Sequence, residues 1–325
     1  MRTKAVKGAR FSLLSLLLGV ICSPAVFCQG GEDSEHVSIN SNLVNLAVSV
    51  FSRKPGQRVQ DLKQSDFAVL DQGQQQQISF FESTSAPFDL VLLLDLSGST
   101  REKLGLIKKS CARFVKAARP IDRIGIVTFT AETTLVSPLT DDRVDLLKRI
   151  NAIKKPEGGT SFWDALAFVL DEMVAKKNDS RRSAVIAMTD GVDNALPDVP
   201  GDGSKINFLQ LVEKIRESDA TILPIYLDTE EDEVRYRGAS RHAYELARKS
   251  LGIIAGQSGG IAYRANKLQD LDGVYDNVIA ELGNVYSVGY QPPGDSKGGE
   301  WHNVQIEIVN RPDLAARTRP GYVAK

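Results

Sequence analysis

The stretch "FDLVLLLDLSGST", residues 88–100, decides how the chain is read. Its apolar run "LVLLL" gives way to Asp95, and Ser97 and Ser99 follow at every second position. An unbroken apolar run of this length is a strand covered on both faces, as in a parallel sheet flanked by helices. Asp95 at its end is then a nucleophile, a metal ligand, or the polar cap of the helix that follows.

The surrounding pattern selects a fold class. Downstream, "RIGIVTFT", "RSAVIAMTD" and "ATILPIYLD" are strands, with shorter ones at "TTLVSPLT" and "GIAYRA". Helices are expected from about Glu102 to Ala118, from near Asp141, and over "TSFWDALAFVLDEMVAKK" with Thr160 or Ser161 as its cap. Further helices are expected over "NFLQLVEKIRES", "AYELARKSLGIIAGQSG" and "LQDLDGVYDNVIAELG". This alternation predicts an α/β, doubly wound, mostly parallel sheet with helices on both faces. Ligands of such sheets bind outside the carboxyl ends of the strands. Asp95 and Asp190 both stand at strand ends.

The segments on either side are β-rich. In residues 37–85, "LVNLAVSVFS" alternates apolar and polar positions, "RKPGQ" marks a turn, and "FAVLDQGQQQQISFFES" predicts a hairpin about Asp-Gln-Gly. In residues 286–325, "VYSVGYQP" and "HNVQIEIVN" are strand-like. Each flank is small for a core of its own. Together they are expected to form one discontinuous β-sandwich beside an α/β domain spanning 88–285, with Tyr286, Tyr290 and Tyr322 in its core and edges.

Length and composition agree. The 325 residues suit two domains, and a 42% hydrophobic fraction fills a full core. A formal net charge of -1 offers no basic field, which disfavours nucleic acid as a partner. Residues 1–28 read as a signal peptide: Arg2, Lys4, Lys7 and Arg10 precede "FSLLSLLLGVI", then small residues and Pro24. The apolar run is too short and interrupted for a membrane span. The mature chain is expected to begin between Val26 and Gln29, to carry no transmembrane span, and to be periplasmic or extracellular. Phe27 is bulky where a small residue precedes a lipidated cysteine, which disfavours acylation of Cys28. With Cys22 and Cys28 removed, Cys111 stands alone on "LIKKSCARFVKAA" and reads as a buried core thiol.

Three loops can meet at the top of the sheet. "DLSGST" supplies Asp95, Ser97 and Ser99, "EGGTSFWDA" supplies Thr160, and "AMTDGVDN" supplies Asp190. The set is entirely oxygen, with two carboxylates and three hydroxyls. Hard divalent cations, Mg²⁺ or Mn²⁺, prefer such donors, whereas soft metals want Cys or His.

"DLSGST" resembles the D-x-S-x-S motif of the von Willebrand factor A-type (VWA) domain. Thr160 in "GGT" and Asp190 in "TDG" match the remaining positions of that domain's metal-ion-dependent adhesion site, and the resemblance covers roughly residues 88–285. The flanks "DLKQSDFAVLDQGQQQQISFFES" and "YSVGYQP…WHNVQIEIVNRPDLAARTRPGYVA" resemble exported VWA-related proteins of acidobacteria. The resemblance implies Ser97, Ser99 and Thr160 as direct ligands, with Asp95 and Asp190 acting through water. It also implies an open coordination position for an Asp or Glu of a protein partner. The expected function is therefore an exported module that binds a protein through a divalent-metal adhesion site. The alternative is an envelope or scaffold component in which the metal only stabilises the fold.

An enzyme fits less well. A phosphatase of the haloacid dehalogenase type needs a second aspartate where this chain has Ser97, so the leaving group lacks its proton donor. A serine hydrolase needs a glycine two residues before its serine, and "LSGST" has none there. No catalytic residue is assigned. "DTEEDEVRYRGASRH", residues 228–242, reads as a solvated charged loop at a strand's carboxyl end, placed to influence partner choice at the metal face.

Overall fold

The computed structural model describes residues 43–54, 59, 62–154, 158–176, 181–265, 270–293 and 298–324. The expected signal segment 1–28 lies outside the described residues, as do Pro55 and Gly56 of the "RKPGQ" turn.

Phe88–Asp95 is an inner strand of a six-stranded sheet. From edge to edge the order is Tyr263–Ala265, Thr221–Leu227, Arg182–Thr189, Phe88–Asp95, Arg123–Phe129 and Thr133–Thr140. Every neighbouring pair is parallel except the last, which is antiparallel. The chain first winds from Phe88–Asp95 toward one edge, then returns and lays its later strands on the other side. The winding reverses between Phe88–Asp95 and Arg182–Thr189. Loops leaving the carboxyl ends of these two strands part in opposite directions, which opens a crevice there.

The apolar run serves both faces, as a doubly covered strand must. Leu90, Leu92 and Leu94 pack with Ile107 and Phe114 of the helix Leu104–Ala117 and with Val278 of the helix Asp270–Leu282. Val91 and Leu93 pack on the opposite side. Their neighbours there include Leu166 of the helix Phe162–Val169, Ile215 of Phe208–Glu217 and Ile254 of Arg241–Gln257. Cys111 lies in the first of these cores, and burial pushes its thiol up to about 12.

The flanks pair with each other. One sheet runs Leu314–Arg317, Val44–Ser52, Val285–Tyr290, Ile78–Glu82; the other runs Gly321–Val323, Trp301–Ile308, Phe67–Asp71, Gln74–Gln76. Leu46, Val48, Val69, Val288, Tyr290 and Val304 bring both sheets into one core. Each sheet combines strands from before and after the α/β segment, so neither flank completes a sheet alone.

Four local expectations need correction. The hairpin after Phe67 is completed by Gln74–Gln76, across Gln72 (φ 50) and Gly73 (φ 78). Two successive positive φ angles match the twist of a tight hairpin. Ile78–Glu82 leaves that hairpin and pairs with Val285–Tyr290 in the opposite sheet. The helix expected from Glu102 is preceded by a tighter turn, Gly98–Lys103, and becomes α-helical only at Leu104–Ala117. The Thr100 hydroxyl donates to the carbonyls of Asp95 and Ser97, both at 3.0 Å, which tightens the turn.

At the helix Phe162–Val169, Ser161 occupies the cap position, but its side chain makes no cap bond. Instead Trp163 N donates to Asp193 Oδ2 (3.0 Å) and Asp164 N to Ser204 Oγ (2.9 Å), so a distant loop caps this helix. Finally, residues 228–242 are not a loop throughout: Glu230–Arg237 is helical and ends at Gly238 with φ 69. Its acids fill the first turn and its arginines the last, which the macrodipole favours. It buries none of its residues, so only exposure was legible in its composition. Among the described residues no helix is long and apolar enough to cross a membrane.

Candidate metal site

Asp95 closes its strand fully buried, and Asp190 follows the neighbouring strand, also fully buried. Both carboxylates therefore stand at the point where the sheet reverses its winding. Asp95 Oδ1 accepts from Ser97 N (2.8 Å) and Asp95 Oδ2 from Thr189 Oγ1 (2.5 Å). Asp190 Oδ1 accepts from Val192 N (3.1 Å) and Asp190 Oδ2 from Thr229 Oγ1 (2.7 Å). Thr229 Oγ1 also lies 2.9 Å from the Tyr244 hydroxyl.

The serines bridge the two acids. Ser97 Oγ and Ser99 Oγ are 3.2 Å apart, and the Ser99 side chain hydrogen-bonds Asp190. The Thr160 loop packs onto the same turn, with Gly98 N donating to Gly158 O (3.4 Å). Gly158 holds φ 118, a backbone shape that L side chains rarely adopt. Asn194 brackets Thr160: its Oδ1 accepts from Thr160 N (2.7 Å), and its own N donates to Thr160 O (2.9 Å). Hydrogen bonds thus link Asp95 to Ser97, Ser97 to Ser99 and Ser99 to Asp190, and the loop that carries Thr160 lies against the same turn, with only Ser99 of the five half-buried.

Several members of this constellation carried no motif. Thr189 holds Asp95, Thr229 holds Asp190 and Asn194 holds Thr160, while Tyr244 braces Thr229, and each of these partners is distant in sequence. Lys103 is another. Its ammonium donates to the carbonyl of Asp228. Burial pulls its pKa down, opposed by Asp232, Asp190, Asp228 and Glu233.

Burial raises Asp95 from an ordinary 3.8 to about 7, and repulsion from Asp190 adds to it against the bonds from Ser97 and Thr189. Burial likewise raises Asp190, opposed chiefly by its bonds from Ser99 and Thr229. Two carboxylates sharing a dry crevice want a cation, and the serine and threonine hydroxyls complete an all-oxygen donor set. Among the described residues no three His, Cys, Asp or Glu gather as metal-binding groups do, so any ion here depends on the hydroxyls.

A pH effect follows for the metal-free protein. Asp95 is protonated up to about 7 when folded and near 3.8 when unfolded, so the folded state binds the extra proton between these values. Its contribution is complete below the unfolded value and is lost as pH rises toward 7. In EDTA, thermal melts should show a downward slope with pH in the parent that is shallower in Asp95→Asn, where only the raised Asp190 still contributes. Parallel profiles for the two proteins would refute the assignment.

Residues 90–192 match the family model described as the von Willebrand factor type A domain, an interval containing all five site positions. A UPF0353 protein of Mycolicibacterium paratuberculosis is 22% identical over 205 residues, covering 60% of this chain and 61% of that protein. The chain spans between 55% and 61% of the curated relatives it matches. Among solved structures, the vWF domain of the type V pili tip protein Mfa5 from Porphyromonas gingivalis is similar at 16% identity and TM-score 0.45, covering 60% of this chain and 94% of that one. Proximal thread matrix protein 1 of the mussel byssus, solved with a zinc-occupied MIDAS motif, is similar at 15% identity and TM-score 0.46, covering 65% and 49%. With the matched interval spanning the central strand, both acid loops and the crevice between them, the chain carries a von Willebrand factor type A domain.

Proposed function

We propose that the chain is an exported, non-catalytic module that binds a protein partner through a divalent cation, Mg²⁺ or Mn²⁺. Asp95, Ser97, Ser99, Thr160 and Asp190 hold that ion. The observation that carries this reading is the pairing of two fully buried carboxylates, bridged by serine hydroxyls, at the switch point of the sheet. Such an ion supplies positive charge and a position for an Asp or Glu side chain of the partner. The protein's own groups orient the site: Thr189 and Thr229 fix the two carboxylates, and Asn194 fixes Thr160.

The domain layout under this reading is a signal peptide at 1–28, β flanks at 37–85 and 286–325, and the VWA domain at 88–285. The segment 1–28 directs the chain to the periplasm or beyond, and N-terminal sequencing of envelope protein that finds Met1 intact would contradict export. A phosphohydrolase reading stays disfavoured because Ser97 stands where the proton donor is needed.

Affinity capture from envelope extract, with Mg²⁺ and with EDTA, tests the adhesion reading. A partner retained by the parent in Mg²⁺, and lost both in EDTA and with Asp95→Ala, supports it. If EDTA lowers the melting temperature but leaves capture unchanged, the metal serves the fold alone and the scaffold alternative holds.

A further inference from the structure

The sandwich carries a cavity that the metal crevice does not use. It holds about 510 Å³, within the range of small-molecule sites, and is lined by Gln72, Gly73, Asn303, Val304, Gln305 and Pro320. Gln72 and Gly73 form the tip of the hairpin after Phe67–Asp71. Asn303, Val304 and Gln305 belong to the strand Trp301–Ile308, and Pro320 leads into Gly321–Val323. All three elements share one sheet, with Gln72 N donating to Asn303 O (2.9 Å) and Val304 N to Pro320 O (2.9 Å).

The lining is chemically narrow. Three of its side chains are carboxamides, and none is charged. Val304 is buried, which leaves Pro320 as the exposed apolar group of the wall. Each carboxamide offers two N–H donors and an oxygen that accepts twice. Two of the three are held in place. Gln72 Nε2 donates to Trp301 O (3.0 Å), Trp301 Nε1 donates to Asn303 Oδ1 (3.0 Å), and Asn303 Nδ2 donates to Gln72 Oε1 (3.4 Å). Trp301 is itself fixed, its ring so close to Gly321 that a Cβ there would come within 2.5 Å of it. After these bonds the Gln72 and Asn303 amides each keep one N–H and one lone pair. Gln305 is exposed, and its amide makes no bond among the described residues.

The hairpin tip is not chosen for the turn alone. Gln72 holds φ 50, a left-handed shape that favours Asn over Gln. Asn would suit the turn better, but its amide is one methylene shorter than the one that meets Trp301 O and Asn303.

We infer that this cavity binds a neutral saccharide of disaccharide size, held by the amides of Gln72, Asn303 and Gln305 against Pro320. A sugar ring presents adjacent hydroxyls, each a donor and an acceptor at once, and a carboxamide answers such a pair with its own N–H and oxygen. An ionic ligand would lose its hydration here without meeting an opposite charge. A peptide side chain is an equally poor occupant, since the wall offers it neither an apolar pocket nor a charge. The metal crevice takes no part.

The test applies the full chain, in EDTA, to an array of neutral and acidic oligosaccharides. The terminal disaccharide of each retained glycan is then titrated by calorimetry. Neutral glycans should be retained, with the same affinity in Mg²⁺ and in EDTA. Gln305→Ala should weaken binding about tenfold and leave the melting temperature unchanged, because that side chain has no partner in the fold. Gln72→Asn keeps the turn and withdraws the amide, so it should also cost about tenfold. Gln77→Ala, exposed and outside the cavity, should bind as the parent does.

An array that retains no neutral glycan, or acidic glycans alone, overturns the inference. So does retention that Gln305→Ala and Gln72→Asn leave intact, because the sugar then sits elsewhere. Binding that requires Mg²⁺ assigns the saccharide to the crevice and overturns it too. The last arm adds a glycine-serine peptide as competitor. Displacement of the glycan at equal concentration would show that the cavity reads a peptide backbone, which also overturns the inference.

Discussion

Asp95→Ala should lower Mg²⁺ affinity by about a hundredfold and leave the far-ultraviolet circular dichroism near that of the parent. The loss is large because the substitution removes a full charge from a buried site, where charge interactions are several times stronger than in water. Ser99→Ala removes one hydroxyl and no charge, so its cost should be about tenfold or less. The fold tolerates the change because opposing terms offset. Ser97 N and the Thr189 hydroxyl lose their acceptor, at about 1–3 kcal/mol, while the repulsion between Asp95 and Asp190 disappears. The apolar body of the strand, Leu90 to Leu94, is unchanged. Isothermal titration beside circular dichroism separates the two effects. Parent-like Mg²⁺ binding by Asp95→Ala would reduce "DLSGST" to a helix cap and end the adhesion reading.

The central architecture was legible because its signals are periodic and local. Phe88–Asp95 is apolar at successive positions because both faces are covered, and no half-exposed strand looks like that. The five nominated oxygen donors could be picked out because each sits in a short strand-to-loop segment with a recognisable spacing. What escaped was long-range. Thr229 reaches Asp190 across 39 positions, and Asp193 reaches back 30 positions to cap a helix at Trp163. Neither leaves a trace in a sequence window. The hairpin's turn stands where expected, but its second strand ends at Gln76 for a related reason. "QQQQISFFES" has strand propensity throughout, but propensity does not say which sheet a strand joins. The partner of Ile78–Glu82 is Val285–Tyr290, on the far side of the α/β segment. The helix Glu230–Arg237 was hidden by its lack of any apolar period, since its stability comes from charge placement.

Asp71→Ala should destabilise the protein by about 3–5 kcal/mol, a large share of a typical folding free energy. Asp71 is fully buried in the sandwich and collects three partners. Tyr290 Oη donates to Asp71 Oδ2 at 2.8 Å and Tyr322 Oη to the same oxygen at 2.9 Å, while His302 Nδ1 lies 2.9 Å from Oδ1. Burial and the Asp71 contact push the Tyr290 hydroxyl well above its ordinary value, so it stays protonated and keeps its role as donor. The residues belong to four strands, with Tyr290 in one sheet and the other three in the facing one. Alanine leaves a cavity and three buried polar groups without their shared acceptor. Asparagine is a milder change. Its oxygen can receive both tyrosines, and its amide can donate to a neutral His302, so a loss of about 1–2 kcal/mol is expected. Urea denaturation of the two variants measures this directly, and an Asp71→Ala protein within about 1 kcal/mol of the parent would show that the network is dispensable. The same experiment probes how the two halves of the chain depend on each other. Both ends of the α/β segment leave from sandwich strands, Ile78–Glu82 on one side and Val285–Tyr290 on the other. The metal crevice, by contrast, lies at the carboxyl ends of strands whose cores contain no residue of this network. Asp71→Asn should therefore lower the urea midpoint while leaving Mg²⁺ affinity at the parent value, because the crevice is held by Thr189, Thr229 and Asn194 and by nothing in the sandwich core.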